Sequence, residues 1–530
     1  MRVRIGVTGH RRLDDEAALA VQVRERLKVI ADLFSSTATT PVRFTVFSAL
    51  AEGADRLVVR EARSALAPNE VDLVAVLPLD RDEYSKDFVS EASRAEYRAY
   101  LAEAATVVQA TAVPGDVRDD AYWRAGREVV DRSDVVIAIW DGQPAHGTGG
   151  TGDVVAYAEK SGVAVLRVST AGGASSADAP DARDLGRRRA KRLGRAIDAQ
   201  SRLRVYNAAN PAITRLGSRL AVERGWSPEV TDRTPDLLAT VRAWALPHFT
   251  RAEFRARRAQ RLYHVVVDAL FALAAIAVAA VAYQISFQPD HARLALFETM
   301  ALVLLSAAFV IGRKVRLHEA WIGYRSLAEA FRSSQFIAAI GGDSADDTAP
   351  SKFRDEPWFQ RAFTEAWAHR PTVTPKEADI AGFRNALATS WIEDQIEYHR
   401  SAAARAQRRH MFVTYTVEAL LLIAIVLSIL HAFEFFEEQE HAADTLEFLA
   451  IALPGASAAL TGHREHRQYR LNAERSRRTA ERLDRIHPAM QAAPDLPAVR
   501  RLAGEAQTIM VEENRDWFGV AELQELELSL

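Results

Sequence analysis

The chain has 530 residues, with 67 Lys and Arg against 70 Asp and Glu, a formal net charge of −3 and a pI near 6.6. That length exceeds one ordinary core and predicts roughly three or four units, while the balanced charge gives no overall electrostatic case for binding nucleic acid. The absence of cysteine excludes disulfides, thiolate metal sites and cysteine nucleophiles, and it fits a reducing compartment.

The mean hydropathy of −0.12 conceals an asymmetry, because the first half is mixed and polar whereas the second carries long apolar runs. The opening MRVRIGVTGHRRLDDE reads as a strand, not as the apolar core of a signal peptide. Short β-branched runs follow at RIGVTGH (4–10), VRFTVFSAL (42–50), VDLVAVLPL (71–79), SDVVIAIW (133–140) and VAVLRVS (163–169). Helical patterns such as 15–34 and 53–66 separate them, and this alternation predicts an α/β, Rossmann-like, doubly wound parallel sheet over 1–170. In such sheets ligands bind beyond the carboxyl ends of the strands, so those ends hold the candidate site.

The first strand ends in Thr8-Gly9-His10-Arg11, where glycine admits close approach and the basic side chains meet negative charge. The second runs through Ser48 and Ala49 to Glu52, Gly53 and Asp55 at a helix start, a place that favours phosphate. Glu52 and Asp55 are candidates to accept from ribose hydroxyls, although Asp55 also reads as a simple helix cap. The third end leads to Tyr84, Asp87 and Phe88. The fourth is Trp140-Asp141-Gly142, followed by a glycine-rich loop with Gly149, Gly150, Thr151 and Asp153.

This ordered set, TGHR, SALAEGAD, LP and SDVVIAIWDG…GTGGTGDVVAYA, resembles the SLOG superfamily of Rossmann-like domains related to LOG and DprA proteins. The resemblance covers roughly residues 1–170. It implies a nucleotide ligand, either hydrolysed or sensed as a signal. The enzymatic LOG proteins carry a catalytic glutamate in a PGGxGTxxE-like motif, and aligning Gly150-Thr151 places Val154 there, with Asp153 adjacent. That departure favours binding without chemistry, so no catalytic residue is assigned. No metal and no cofactor is expected either; the nucleotide enters as ligand.

Residues 171–250 begin with a soft linker (TAGGASSADAPDA) and continue into the basic RDLGRRRAKRLGRAIDAQSRLRVY, read as a solvated helix or a grip for anionic lipid or nucleic acid. Two hairpins of membrane-spanning length follow, at 251–335 (spans about 263–285 and 294–312) and 401–480 (spans about 411–433 and 446–462), the last being the weakest. GGDSADDTAPSKF (341–353) interrupts the helical segment 336–400 between them, and 481–530 is a helical tail. Basic flanks such as RAEFRARRAQR, GRKVR, SAAARAQRRH and HREHRQYR place both hairpin tips outside and both termini in the cytoplasm. A repeat supports the pairing: Arg258-Ala259-Gln260-Arg261 returns at Arg405-Ala406-Gln407-Arg408, and Tyr324-Arg325 with Ala328-Glu329 returns at Tyr469-Arg470 with Ala473-Glu474.

Trp321, YRSLAEAFR and LATSWIEDQIEYHRSAAARAQRR (387–409) give residues 250–490 a resemblance to the SLATT group of two-helix membrane effectors, here in tandem as an all-α four-helix domain. The resemblance implies a module that permeabilises the bacterial inner membrane on a nucleotide signal in anti-phage defence. Each span carries one acid: Asp268, Glu298, Glu418 and Glu447. An intramembrane acid needs a partner, water or a role. Glu298 and Glu447 read as interfacial, Glu418 as the better candidate to line an ion path, and Asp268 as pore-lining or paired with nearby basic groups.

The expected whole is a membrane effector gated by a cyclic oligonucleotide or an NAD-derived signal such as a cyclic ADP-ribose variant. It would be a homo-oligomer in the lipid bilayer, served by a separate enzyme that makes the signal, without direct binding of nucleic acid. The alternative is a membrane-anchored nucleoside-phosphate or NAD-type hydrolase with Asp153 or Glu52 as its acid. A third reading is a scaffold that binds without turnover or leakage.

Overall fold

The computed structural model describes residues 1–110, 118–144, 149–170, 191–208, 235–288, 295–342, 357–376, 379–433 and 440–527. The soft linker from 171 to 182, most of GGDSADDTAPSKF, the two hairpin tips and the side chain of Glu298 lie outside the described residues. The chain forms two compact units, Met1–Ala209 with Ala349–His369, and Asn210–Thr348 with Arg370–Leu530. It therefore passes between the units three times.

In the first unit six parallel strands are ordered β4-β3-β2-β1-β5-β6. They are β1 (Arg2–Gly9), β2 (Arg43–Ser48), β3 (Glu70–Leu77), β4 (Thr106–Gln109), β5 (Val135–Trp140) and β6 (Ala164–Ser169). The central strands are buried on both faces, so RVRIGVTG and VVIAIW are near-continuous apolar runs and do not alternate. Helices α1 (Glu16–Leu33) and α2 (Ala54–Ala65) pack together, as do α5 (Arg118–Asp131) and α6 (Thr151–Lys160). Short α3 (Arg81–Ser85) and α4 (Glu91–Glu103) lie between β3 and β4 in the chain. The edge strand β4 is four residues long, too short for the sequence to show alternation, and it exists because Val74 to Leu77 pair with it.

Two further helices complete this unit and carry it past the 1–170 read from the sequence. The basic run continues as α7 (Lys191–Asn207), and its Arg192 is buried, donating to the carbonyls of Val130, Asp131 and Ser133. From far along the chain comes α11 (Trp358–Ala368), which packs on α7. Its Arg361 makes a two-pronged ion pair with the buried Asp134, at 2.5 and 3.1 Å. Asp134 also accepts from the Arg4 N–H at 3.0 Å. Burial pushes the Asp134 carboxyl up, but Arg361 and Arg4 override it and leave it below the usual range.

The second unit is helical. It contains α8 (Pro235–Phe287), α9 (Ala295–Val315) and α10 (Leu317–Ala339), then α12 (Ile380–Leu387), a π-helical segment (Ala388–Glu393), α13 (Asp394–Ala432), α14 (Glu440–Arg467), α15 (Tyr469–Gln491) and α16 (Leu496–Glu527). Among the described residues, three stretches are long and apolar enough to cross a membrane: Thr240–Phe287, Ile380–Ala432 and His441–Gln491. Only 17%, 11% and 6% of their most apolar windows is buried, so these are not core helices of a soluble fold. The shorter α9 packs along α8 and exposes Leu296, Met300, Val303 and Val310.

The repeat in the sequence has a structural counterpart with a shift inside it. The first long helix of each copy ends at Phe287 and Ala432, 145 positions apart. At the matching place the first carries a proline inside the helix, Pro247, and the second is preceded by the π-helical segment 388–393. Each returning helix then breaks at a left-handed residue, Arg316 and Gln468, now 152 apart, and the following helices end at Ala339 and Gln491, again 152 apart. The second copy thus holds seven more residues before its break, about two helical turns. Tyr324 and Tyr469, equal in the sequence match, consequently sit two turns apart relative to the break.

Candidate functional site

The strand order reverses at β1, whose neighbours are β2 on one side and β5 on the other. A crevice opens where crossovers leave such a pair in opposite directions. It gathers the ends predicted from sequence: Thr8, Gly9, His10 and Arg11 after β1, and Trp140, Asp141 and Gly142 after β5. The His10 N–H donates to the Ile139 carbonyl at 3.0 Å, and the Asp141 N–H donates to His10 Nε2 at 3.2 Å. The same imidazole lies 3.2 Å from the Asp141 carboxylate, which is held below the usual range chiefly by the Gln143 N–H and also by His10.

Ser48, Ala49, Glu52, Gly53 and Asp55 join this crevice through the start of α2. The Ala54 N–H donates to the His10 carbonyl at 3.1 Å, tying the two loops together. Only glycine fits at 53: its φ is 75°, and a Cβ there would stand 2.4 Å from the Arg11 carbonyl oxygen. At Gly9 a Cβ would stand 2.4 Å from the Ala54 Cβ and 2.6 Å from the Ile139 oxygen. Backbone from three loops therefore converges with no side chain between.

The structure divides the polar residues into two groups. Ser48 and Asp55 face inward: Ser48 Oγ donates to Asp55 at 2.9 Å and accepts from the Leu50 N–H at 2.9 Å, which holds Leu50 at a φ of 59°. Burial pushes the Asp55 carboxyl up to about 6 against hydrogen bonds from Ser48 and from the N–H groups of Ala51 and Ala49, with Arg11 also opposing. Glu52 accepts from Ser93 Oγ, and Ser93 in turn is bound by Arg56. Arg11 is exposed, has no ion-pair partner among the described residues, and lies 5.1 Å from the ring of Tyr122. Tyr122 donates to Asp87, which also pairs with Arg118. The sequence reading had no signal for Tyr122, since one aromatic on an amphipathic helix looks like packing.

Around α6, Gly150 is the N-cap, and the Gly149 N–H donates to the Asp153 carboxylate at 3.0 Å. Asp153 is thereby committed to the turn. Val154 is buried among Val130, Val136, Ala158 and Val163, so the position aligned with the LOG glutamate points into the core. The Trp140 indole N–H is taken by the Gln143 carbonyl at 2.8 Å, and Arg167 lies 5.3 Å from its ring. Within the helical unit, Asp268 is bound by His463 at 3.0 Å and by Arg467 at 2.8 Å, the paired arrangement weighed from sequence. Glu418 is exposed on α13 and has no ion pair among the described residues. No cluster of potential metal ligands occurs among the described residues.

Residues 388–517 match the family described as SMODS and SLOG-associating 2TM effector domain 1. That stretch runs from the π-helical segment through α13, α14 and α15 and covers most of α16, the second hairpin and the helices after it. No curated protein matches the chain. Residues 388–517 are thus similar to a two-helix membrane effector domain, in a chain that begins with a doubly wound parallel α/β unit.

Proposed function

We propose that the protein is a membrane effector gated by a nucleotide signal. The observation that carries this reading is the union, in one chain, of a glycine-walled crevice bearing an arginine without an ion-pair partner among the described residues and of long helices whose apolar windows are mostly exposed. In it the first unit is a SLOG-type sensor for a cyclic oligonucleotide or an NAD-derived nucleotide. Arg11 meets phosphate with the backbone around Gly9 and Gly53, Glu52 and Trp140 border sugar and base, and the Gly149–Thr151 turn takes a second phosphate. Ser48 and Asp55 act from behind, fixing the loop that carries Glu52.

In this reading α9 is a fourth span, the protein crosses the bacterial inner membrane four times, and both termini with the sensor are cytoplasmic. The positive flanks support that orientation. Glu418, about 10 Å into the apolar part of α13, argues for assembly of several copies, because a lone carboxylate facing lipid is costly and one facing a shared water-filled path is not. Coupling runs through covalent connections: α11 is anchored in the sensor by Arg361, yet both its flanks lead into hairpins. Moving a channel from 1:99 to 99:1 open needs about 5.5 kcal/mol of differential affinity. A separate enzyme would supply the signal.

The test is leakage from liposomes holding the purified protein, against a panel of cyclic oligonucleotides and cyclic ADP-ribose variants, with the nucleotide recovered afterwards. Leakage with the ligand intact supports gating. Ligand consumed without leakage replaces it with the anchored hydrolase, and binding with neither replaces it with the scaffold. Arg11→Ala should abolish the response while insertion stays normal; a normal response in that variant removes the site assignment.

A further inference from the structure

The helical unit encloses a cavity of about 590 Å³ between the two copies of the repeat, walled by α8, α10, α13, α14, α15 and α16. Its charge is one-sided. From α8 come Arg257 and Arg261, from α13 come Arg405 and Arg409, each pair four residues apart and so on one helical face. Arg325, Arg467 and Arg475 add to these, against two lining acids, Glu253 and Glu329.

The acids are already engaged. Glu253 takes Arg257 at 2.8 Å and Arg325 at 3.2 Å, and Glu329 takes Arg325 at 2.5 Å. Arg467 is bound to Asp268 outside the cavity wall. Arg261, Arg405, Arg409 and Arg475 have no ion-pair partner among the described residues. Four uncompensated guanidinium groups around one space repel one another, and an anion among them removes that repulsion while gaining charge-assisted hydrogen bonds.

Orientation bias in the membrane does not account for this placement. Arg258 and Arg408 meet the positive-inside requirement equally well and line no part of the cavity, whereas exposed Arg261, Arg405 and Arg409 and half-buried Arg475 all line it. The lining is also aromatic: Tyr263 stacks on His318 with centroids 4.8 Å apart, Trp321 lies 5.7 Å from Tyr263, and the Tyr263 hydroxyl bonds His466 at 2.8 Å. Arg261 and Arg409 stand just before the apolar runs that begin at Leu262 and Met411, so the cavity lies at the level of the lipid headgroups.

We propose that this cavity is a second anion site, separate from the crevice of the α/β unit, and that it takes a ligand carrying two or more phosphate-type charges. The first copy of the repeat contributes Arg261 and the second Arg405, Arg409 and Arg475, so one bound polyanion ties the two hairpins together at their base. The chemistry is shared by a diphosphate headgroup in the bilayer and by a free polyphosphate, and the experiment separates them.

Full-length protein in neutral detergent is titrated with inorganic pyrophosphate by calorimetry and, in a second arm, transferred to neutral-lipid nanodiscs with and without a lipid bearing two phosphates. Tryptophan fluorescence from Trp321 and thermal unfolding are read in both. Binding in either arm is expected, and Arg405→Gln with Arg409→Gln should weaken it at least about 100-fold, as loss of two charge-assisted contacts implies. Since neither side chain has an internal ion pair to lose, the double variant should unfold at an unchanged temperature. Arg11→Ala should leave this binding intact, which separates the cavity from the sensor site whether or not the latter is correct. Absence of binding in both arms overturns the proposal, and so does equal affinity in the Arg405 and Arg409 double variant.

Discussion

Replacing Arg361 by Ala should destabilise the α/β unit by about 3–5 kcal/mol at neutral pH, the cost of leaving a buried carboxylate without its partner. Asp134 and Arg361 expose 3% and 9% of their side chains, so water cannot replace the lost guanidinium. What remains to Asp134 is the hydrogen bond from the Arg4 N–H and the attraction of the Arg4 charge. The pH dependence fixes the cause. In the native protein the Asp134 carboxyl is held low, so its contribution is present above the unfolded value of 3.8 and lost as pH falls through the lower folded value. In the variant, burial is opposed only by Arg4 and raises the carboxyl, so the penalty exists at neutral pH and is relieved as pH falls and the group protonates. The gap between the two proteins should be widest near pH 7.5 and narrow toward pH 4.5. Hydrogen exchange of peptides from β1 and β5 reads this unit apart from the helices. Arg361→Met with Asp134→Asn should recover most of the loss. A penalty under about 1 kcal/mol at pH 7.5, or one of equal size at both pH values, would refute the reasoning.

Asp55, raised from 3.8 to about 6 by burial, stabilises the fold relative to its charged form below 3.8, and that advantage disappears as pH rises through 6. Asp55→Asn should remove about 3 kcal/mol of pH-dependent stability between pH 4 and 8, seen as a flattened denaturation profile; an unchanged slope would show that Asp55 is not buried as described. Gly53→Ala should cost at least about 1–3 kcal/mol, from a positive φ and a clash with backbone, and should abolish nucleotide binding measured by calorimetry. Val154→Glu should destabilise the unit by about 2–4 kcal/mol in chemical denaturation without creating hydrolase activity, because the new carboxylate points into the core. Release of base from a nucleotide by that variant would argue instead for a shifted α6.

Much of the architecture was legible before the coordinates. Parallel strands buried on both faces must be apolar throughout, so RIGVTGH and VVIAIW announced themselves, and glycine at the ends of β1 and β2 marked where backbone approaches backbone. The long helices were equally plain, because a run of membrane length needs no tertiary context to be recognised. The sequence also supplied the repeat, and the residues whose backbone lines the crevice.

Local periodicity and the chemistry at the ends of elements thus mark a doubly wound α/β unit, apolar helices beyond it, and the loops that meet at the strand reversal. Only the tertiary structure decided the direction and partners of individual side chains. Ser48 and Asp55 turn inward and Glu52 sideways, Asp268 is consumed by His463 and Arg467, and Val154 lies in the core. The same holds for α11, inserted in the first unit through an ion pair that links positions 134 and 361, and for the four arginines drawn around one cavity from three helices. The physical reason is range. Helix and strand patterns arise from neighbours three or four residues apart, whereas burial of a charge is decided by groups hundreds of residues away, which no window on the sequence contains.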